Sequence, residues 1–201
     1  MDYFALLAEP RRPWLEPETL KSKFLALAAE AHPDKQRHAS EAEKLAANRR
    51  YAGLNTAYRC LAEPKLRLLH LLELELGAKP GDVQRIPPAL ADWFAEVAAV
   101  CRNTDDFLAE KNKTTSPLLQ VRLFEQAQEW VERLRASQTR LAGQYDRLVE
   151  ELKSLDALWT SPSQTGERTA LLNRLEELYR LFGYFNRWSS QIQERIVQLS
   201  L

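Results

Sequence analysis

An all-α fold is predicted by three features of this sequence. Only six of its 201 residues are glycine, while Leu, Ala, Glu, Arg and Gln, which all suit helices, are abundant. Apolar residues recur at steps of three and four along most of the chain, as one buried helical face requires. No segment alternates apolar and polar residues with the period of two that marks a strand. Within that class the pattern predicts an N-terminal antiparallel helical hairpin with flanking helices. A three-helix domain containing a long antiparallel hairpin follows.

Asp2 is placed to cap a short first helix through Tyr3, Phe4, Leu6 and Leu7, which Pro10 and Pro13 then break. Pro17 suits the first turn of a second helix, Glu18 suits its positive end, and Leu15 can staple to Leu20. The apolar face of that helix runs Leu20, Phe24, Leu27 and Ala31, and it ends at His32-Pro33 because proline disfavours the α region in the residue before it. After a polar loop from Asp34 to Ala39, Ser40-x-x-Glu43 forms a capping box. A third helix then shows Ala47, Tyr51, Leu54, Tyr58 and Leu61 at helical spacing, so helices two and three are expected to pair antiparallel.

Pro64 opens a fourth helix to about Leu76. Its leucines at 66, 68, 69, 71, 72, 74 and 76 cannot share one face, so it is expected to be buried on more than one side and shared between two modules. The Gly/Pro-containing stretch Gly77 to Asp82 breaks all periodicity. Ile86-Pro87-Pro88 launches a helix carrying Leu90, Trp93, Phe94, Val97 and Val100, and the polar run Asn103 to Ser116 reads as a loop or frayed helix end. Ser116-Pro117 starts a long helix with the stripe Leu123, Trp130, Leu134, Leu141, Tyr145, Leu148, Leu152, Leu155 and Trp159. A turn over Thr160 to Gly166 leads to a last helix with Leu171, Leu175, Leu178, Phe182, Phe185, Ile192, Ile196 and Leu199. At 1.5 Å per residue each arm is expected to be about 50–60 Å long, and Trp130, Trp159 and Trp188 are assigned to its packing. The expected domains are residues 1–76, a linker at 77–88, and residues 89–201.

Lys plus Arg and Asp plus Glu number 28 each, so net charge argues for neither nucleic acid nor a membrane surface as partner. No apolar run approaches the ~20 residues of a membrane span. Met1-Asp2-Tyr3-Phe4 lacks the basic flank and apolar stretch of a secretory signal. A cytoplasmic protein is the expectation, with Cys60 and Cys101 as two reduced thiols. His32, Asp34 and His38 share a short loop and His70 belongs to another helix, so no metal site is expected. No nucleophile–base arrangement or phosphate-binding Gly-rich loop is visible, so neither catalysis nor a cofactor is expected.

The tetrapeptide His32-Pro33-Asp34-Lys35 therefore stands at a rigid polar tip between two helices, a place suited to contact with another protein. With its flanks, this segment resembles a J domain, the module that activates DnaK-type 70-kDa heat-shock chaperones. Asp2-Tyr3-Phe4, Leu6-Leu7, Phe24, Leu54-Asn55, Ala57-Tyr58, Leu61 and Pro64 are similar to the HscB (Jac) branch, the co-chaperones of iron–sulfur cluster assembly. The resemblance covers about residues 2–76. Beyond it, Pro88-Ala89-Leu90-Ala91-Asp92-Trp93-Phe94 and Tyr184-Phe185-Asn186-Arg187-Trp188-Ser189-Ser190 resemble the branch's scaffold-binding and final helices more loosely.

The resemblance implies a co-chaperone without an active site of its own. His32, Pro33 and Asp34 would dock where the partner's ATPase domain, linker and substrate domain meet, speeding ATP hydrolysis there. Asp34 would pair with a partner arginine. Lys35, Lys21 and Lys23 would steer the chain toward an acidic surface, with Arg49 and Arg50 as lesser extensions. The partner would be an HscA-like or general 70-kDa chaperone. The client, an IscU-like iron–sulfur scaffold, would meet Leu90, Trp93, Phe94 and Tyr184. The sequence departs from the branch where Ala95, Ala98 and Arg102 occupy positions usually acidic. A J-domain co-chaperone with a different client, or a helical adaptor with an inert J-like segment, are the alternatives.

Overall fold

A computed structural model describes residues 1–32, 40–81, 87, 90–114, 116–161 and 165–200. Among these it contains seven helices and no strand. They are α1 (Tyr3–Leu6), α2 (Pro17–Glu30), α3 (Glu41–Ala62), α4 (Pro64–Leu76), α5 (Ala91–Lys113), α6 (Pro117–Trp159) and α7 (Thr165–Leu199). No helix among the described residues is long and apolar enough to cross a membrane.

The predicted caps form. The Asp2 carboxylate accepts from the backbone N–H groups of Phe4 and Ala5. Pro17 stands in the first turn of α2, and Ser40 and Glu43 complete the capping box of α3. Glu63 caps α4 by accepting from the Leu66 N–H. Gly77 closes α4 in the left-handed conformation (φ 72°), which glycine adopts without the Cβ penalty of other residues.

The chain separates into two compact units. The first comprises Met1–Gly81 and Leu148–Phe182, the second Asp82–Arg147 and Gly183–Leu201. In the first unit α2 and α1 pack on α3, and α3 packs on α4. Phe4, Leu7, Leu20, Leu54, Ala57 and Leu61 are buried there, and each fully buried leucine stabilises by roughly 1.5–3 kcal/mol. Leu68, Leu71 and Leu72 of α4 have no exposed surface, whereas Leu66 and Leu76 are exposed. Apolar density on α4 thus buries a broad face without enclosing the helix. Lys65 lies over the Tyr179 ring and Glu75 pairs with Arg168 at 2.9 Å, so α4 also meets the first half of α7, which runs beside the end of α6. Those two stretches run antiparallel, with Trp159 against Arg168 and Glu151 bonded to Arg174.

In the second unit α5 does not stop near Val100. It continues to Lys113, which corrects the expected loop at 103–116. Asn103, Thr104, Asp105 and Asp106 are poor helix formers, yet Cys101, Thr104 and Phe107 keep one buried face. Arg195 of α7 fastens that stretch by donating to the Cys101 carbonyl and the Asp105 carboxylate. Tertiary packing here overrides local propensity. At 43 residues α6 is about 65 Å long, beyond the expected arm, while the 35 residues of α7 fit it. All eight stripe residues expected on α7 are buried.

Candidate functional site

The end of α2 is held in place by α3. Phe24 stacks on Tyr58 with ring centroids 4.4 Å apart and planes 12° apart. Two turns further on, the ring of the half-buried His32 meets the face of Tyr51 edge-on at 5.5 Å and 80°. The N–H of Ala31 still bonds to the Leu27 carbonyl, so the helix is wound up to the residue before His32. Pro33, Asp34 and Lys35 lie outside the described residues. His32 is therefore the one member of the tetrapeptide whose surroundings are defined: aromatic on one side, at the C-terminal end of a helix.

The two lysines expected to act alike differ. Lys21 is exposed. Lys23 is partly covered, and its ammonium lies 2.8 Å from the Glu9 carboxylate and donates to the Ala8 carbonyl at 3.2 Å. Arg49 and Arg50 are exposed on α3.

Residues 8–16, joining α1 to α2, supply features that the sequence did not reveal. Ala8 has φ 51°, an uncommon backbone state for a residue with a Cβ. Arg11 pairs with Asp2 at 2.7 Å. Arg12 forks onto both oxygens of Asp156 in α6, its Nε donating to Oδ1 at 3.0 Å and its Nη2 to Oδ2. Trp14 donates its backbone N–H to the same Oδ1 at 3.0 Å. Asp156 is only 3% exposed, so these donors replace the water it has lost. From the other side Arg67 of α4, 2% exposed, donates to the carbonyls of Pro13 at 2.7 Å and Leu61 at 2.6 Å. The Trp14 ring has the Arg67 guanidinium and the Lys153 ammonium at 5.3 and 4.9 Å, and the Trp159 indole donates to the Arg11 carbonyl at 2.9 Å. One signal was available: Asp156 interrupts the apolar run Leu152, Leu155, Trp159, and a lone carboxylate on such a stripe needs a partner.

His70 of α4 accepts a hydrogen bond from the Tyr3 N–H at its Nε2, 3.0 Å away, and stacks near Tyr3 and Phe4. Burial pushes its imidazole below the ordinary value, outweighing the nearby carboxylates of Asp2 and Glu73. The lone pair on Nε2 is thus kept free for Tyr3. Cys60 and Cys101 are free thiols. Burial raises Cys60 to about 11 and shifts Cys101 in the same direction, so neither is a reactive thiolate at neutral pH.

The expected client residues are in the second unit, and the structure distributes them. Leu90 is buried at the start of α5. Trp93 is half-buried, edge-on to Phe185 at 6.0 Å, with the Arg140 guanidinium 5.1 Å from its ring centre. Tyr184 lies against Trp188 at 5.8 Å. Phe94 is 46% exposed. It stands at a groove of about 270 Å³ between α5 and α7, whose lining also includes Val97, Ala98, Arg102, Trp188 and Arg195. The groove joins Phe94 to Ala98 and Arg102, two of the positions that depart from the family pattern, and leaves Leu90 in the core.

No family model matches this chain. Solved structures do match it. Chaperone HscB from Vibrio cholerae aligns over 99% of this chain and 99% of its own, at 21% identity and a TM-score of 0.59. The human co-chaperone protein HscB aligns over 98% of this chain and 80% of its own, at 20% identity and a TM-score of 0.52. From α1 to α7, the chain has the fold of the HscB chaperones.

Proposed function

We propose that this chain is an HscB-type co-chaperone that stimulates the ATPase of a DnaK-type 70-kDa chaperone and delivers to it a client bound by the C-terminal helices. The observation that carries the reading is the placement of His32. It opens the sequence His-Pro-Asp at the end of a helix held by α3, in a chain whose full length follows the HscB fold. His32, Pro33, Asp34 and Lys35 are the contact tip, with Lys21 and Lys23 on the adjoining helix. An iron–sulfur scaffold is the client that the fold relationship favours, in the cytoplasm, with Trp93, Phe94 and Tyr184 as the contact candidates and Leu90 supporting them from the core.

The test is ATP turnover by an HscA-like and a general 70-kDa chaperone with the purified chain added. Stimulation by the wild-type chain, lost in His32→Gln and Asp34→Asn, is the expected result. A wild-type chain that leaves both chaperones unstimulated would overturn the proposal and favour an adaptor with an inert J-like segment. A second client reading has one observation behind it: the exposed Phe94 shares its groove with Arg102 rather than with carboxylates alone. Retention of a non-scaffold protein by the full chain, without retention of an IscU-like scaffold, would support that reading.

A further inference from the structure

The segment joining α1 to α2 holds one of the cations that the proposed chaperone contact needs. Lys23 is the lysine of α2 nearer to His32, and its ammonium is engaged twice from residues 8–9: by the Glu9 carboxylate at 2.8 Å and by the Ala8 carbonyl at 3.2 Å. The Glu9 side chain is 8% exposed. Taking Lys23 away would leave a carboxylate in a nearly dry site without its ion-pair partner and with only the Arg12 charge nearby, which is costlier than breaking an exposed pair. Residues 8–9 are themselves constrained. The Glu9 N–H bonds back to the Phe4 carbonyl at 2.9 Å, and Ala8 sits at positive φ. The next residues are fixed by Asp156 through Arg12 and the Trp14 N–H, and by Arg67 through the Pro13 carbonyl. Lys21, by contrast, projects into solvent.

We propose that residues 8–9 form an autoinhibitory contact, an intramolecular competitor for Lys23 that the Asp156 anchor keeps in place. In the resting chain Lys21 supplies the steering charge of α2 and Lys23 is withheld. An acidic partner surface gains Lys23 only by displacing Glu9. This rests on the proposed chaperone contact at α2, and two measurements separate the two ideas.

The first uses the full chain alone. Acylation of lysine amines, read by mass spectrometry, should proceed more slowly at Lys23 than at Lys21. Glu9→Gln should raise the Lys23 rate about two- to fivefold, the range set by a single ion pair. Asp156→Asn should raise it less. Equal rates at Lys21 and Lys23 in the wild-type chain would overturn the proposal whatever the partner. The second is stimulation of a DnaK-type chaperone at low ionic strength. Glu9→Gln should lower the concentration for half-maximal stimulation about two- to fivefold. The gain should vanish at high salt and in a Lys23→Gln background. An unchanged or higher half-maximal concentration would overturn the competition. Absence of any stimulation by the wild-type chain would strike the proposed function, leaving the acylation rates to judge whether Lys23 is withheld.

Discussion

Among the described residues, the first unit buries Arg67, His70 and Asp156, whereas the second buries one polar residue, Thr104. The partners differ as much as the residues. In the first unit the buried polar atoms join segments remote in sequence: Asp156 to Arg12 across 144 positions, His70 to Tyr3 across 67, Arg67 to Pro13 across 54. In the second, the Thr104 hydroxyl bonds to Val100 in its own helix. In the interior of that unit the helices meet through rings, with Trp93 and Trp188 against Phe185 and Phe107 against Trp130. Polar bonds between helices there, such as Arg195 to Cys101 and Asp105, come from residues that keep some exposure. Directional bonds fix which residue faces which, and orphaning one is costly. Aromatic packing tolerates adjustment. The unit proposed to meet a chaperone is therefore specified by polar geometry, and the unit proposed to meet a client by packing.

Substitutions can break this contrast. The largest effect is expected from Arg67→Ala, which leaves two carbonyls unpaired and a cavity behind. A loss of about 3–5 kcal/mol is expected in urea unfolding, with hydrogen exchange rising in residues 1–81 and 148–182. An equal rise throughout the second unit would erase the distinction. Asp156→Ala should follow at about 2–3 kcal/mol, with faster tryptic cleavage after Arg11. Thr104→Ala should cost only about 1 kcal/mol. A cost matching that of Asp156→Ala would show that the second unit also depends on its polar group.

The smallest effect is a pH dependence. With the His70 imidazole held below its ordinary value, the unfolded chain binds more protons than the folded one in the range between the two values. The contribution of neutral His70 is complete above pH ~6.5 and declines as the pH falls through the folded value. The urea midpoint of the first unit should drop on mild acidification, and less so in His70→Gln. Histidines occur only at positions 32, 38 and 70, so the second unit should hold its midpoint over the same range.

Helix existence was legible wherever apolar spacing and a cap agreed, as at Ser40–Glu43 and along α7. It failed at Asn103–Asp106, where residues unfavourable to a helix stay helical because Arg195 and a buried face hold them. In the candidate site, the helix end at His32 and the aromatic-bearing start of α5 were legible from local pattern. The pairing of Lys23 with Glu9 was not, since fourteen positions separate them and nothing in α2 or in the segment before it marks the match. Asp156 and Arg67 were hidden for the same reason: a charge inside a leucine stripe announces that it needs a partner without saying which.

The bond between Arg12 and Asp156 also has a consequence for the order of events in synthesis. Arg12 leaves the ribosome long before its carboxylate, which is encoded 144 residues later. At 5–20 residues per second the delay is roughly 7–30 seconds. During that interval Arg12 and Trp14 wait without the Asp156 carboxylate and the Lys153 side chain that meet them in the finished fold. A chain proposed to recruit a chaperone thus passes through a stage in which it is itself an unfinished substrate.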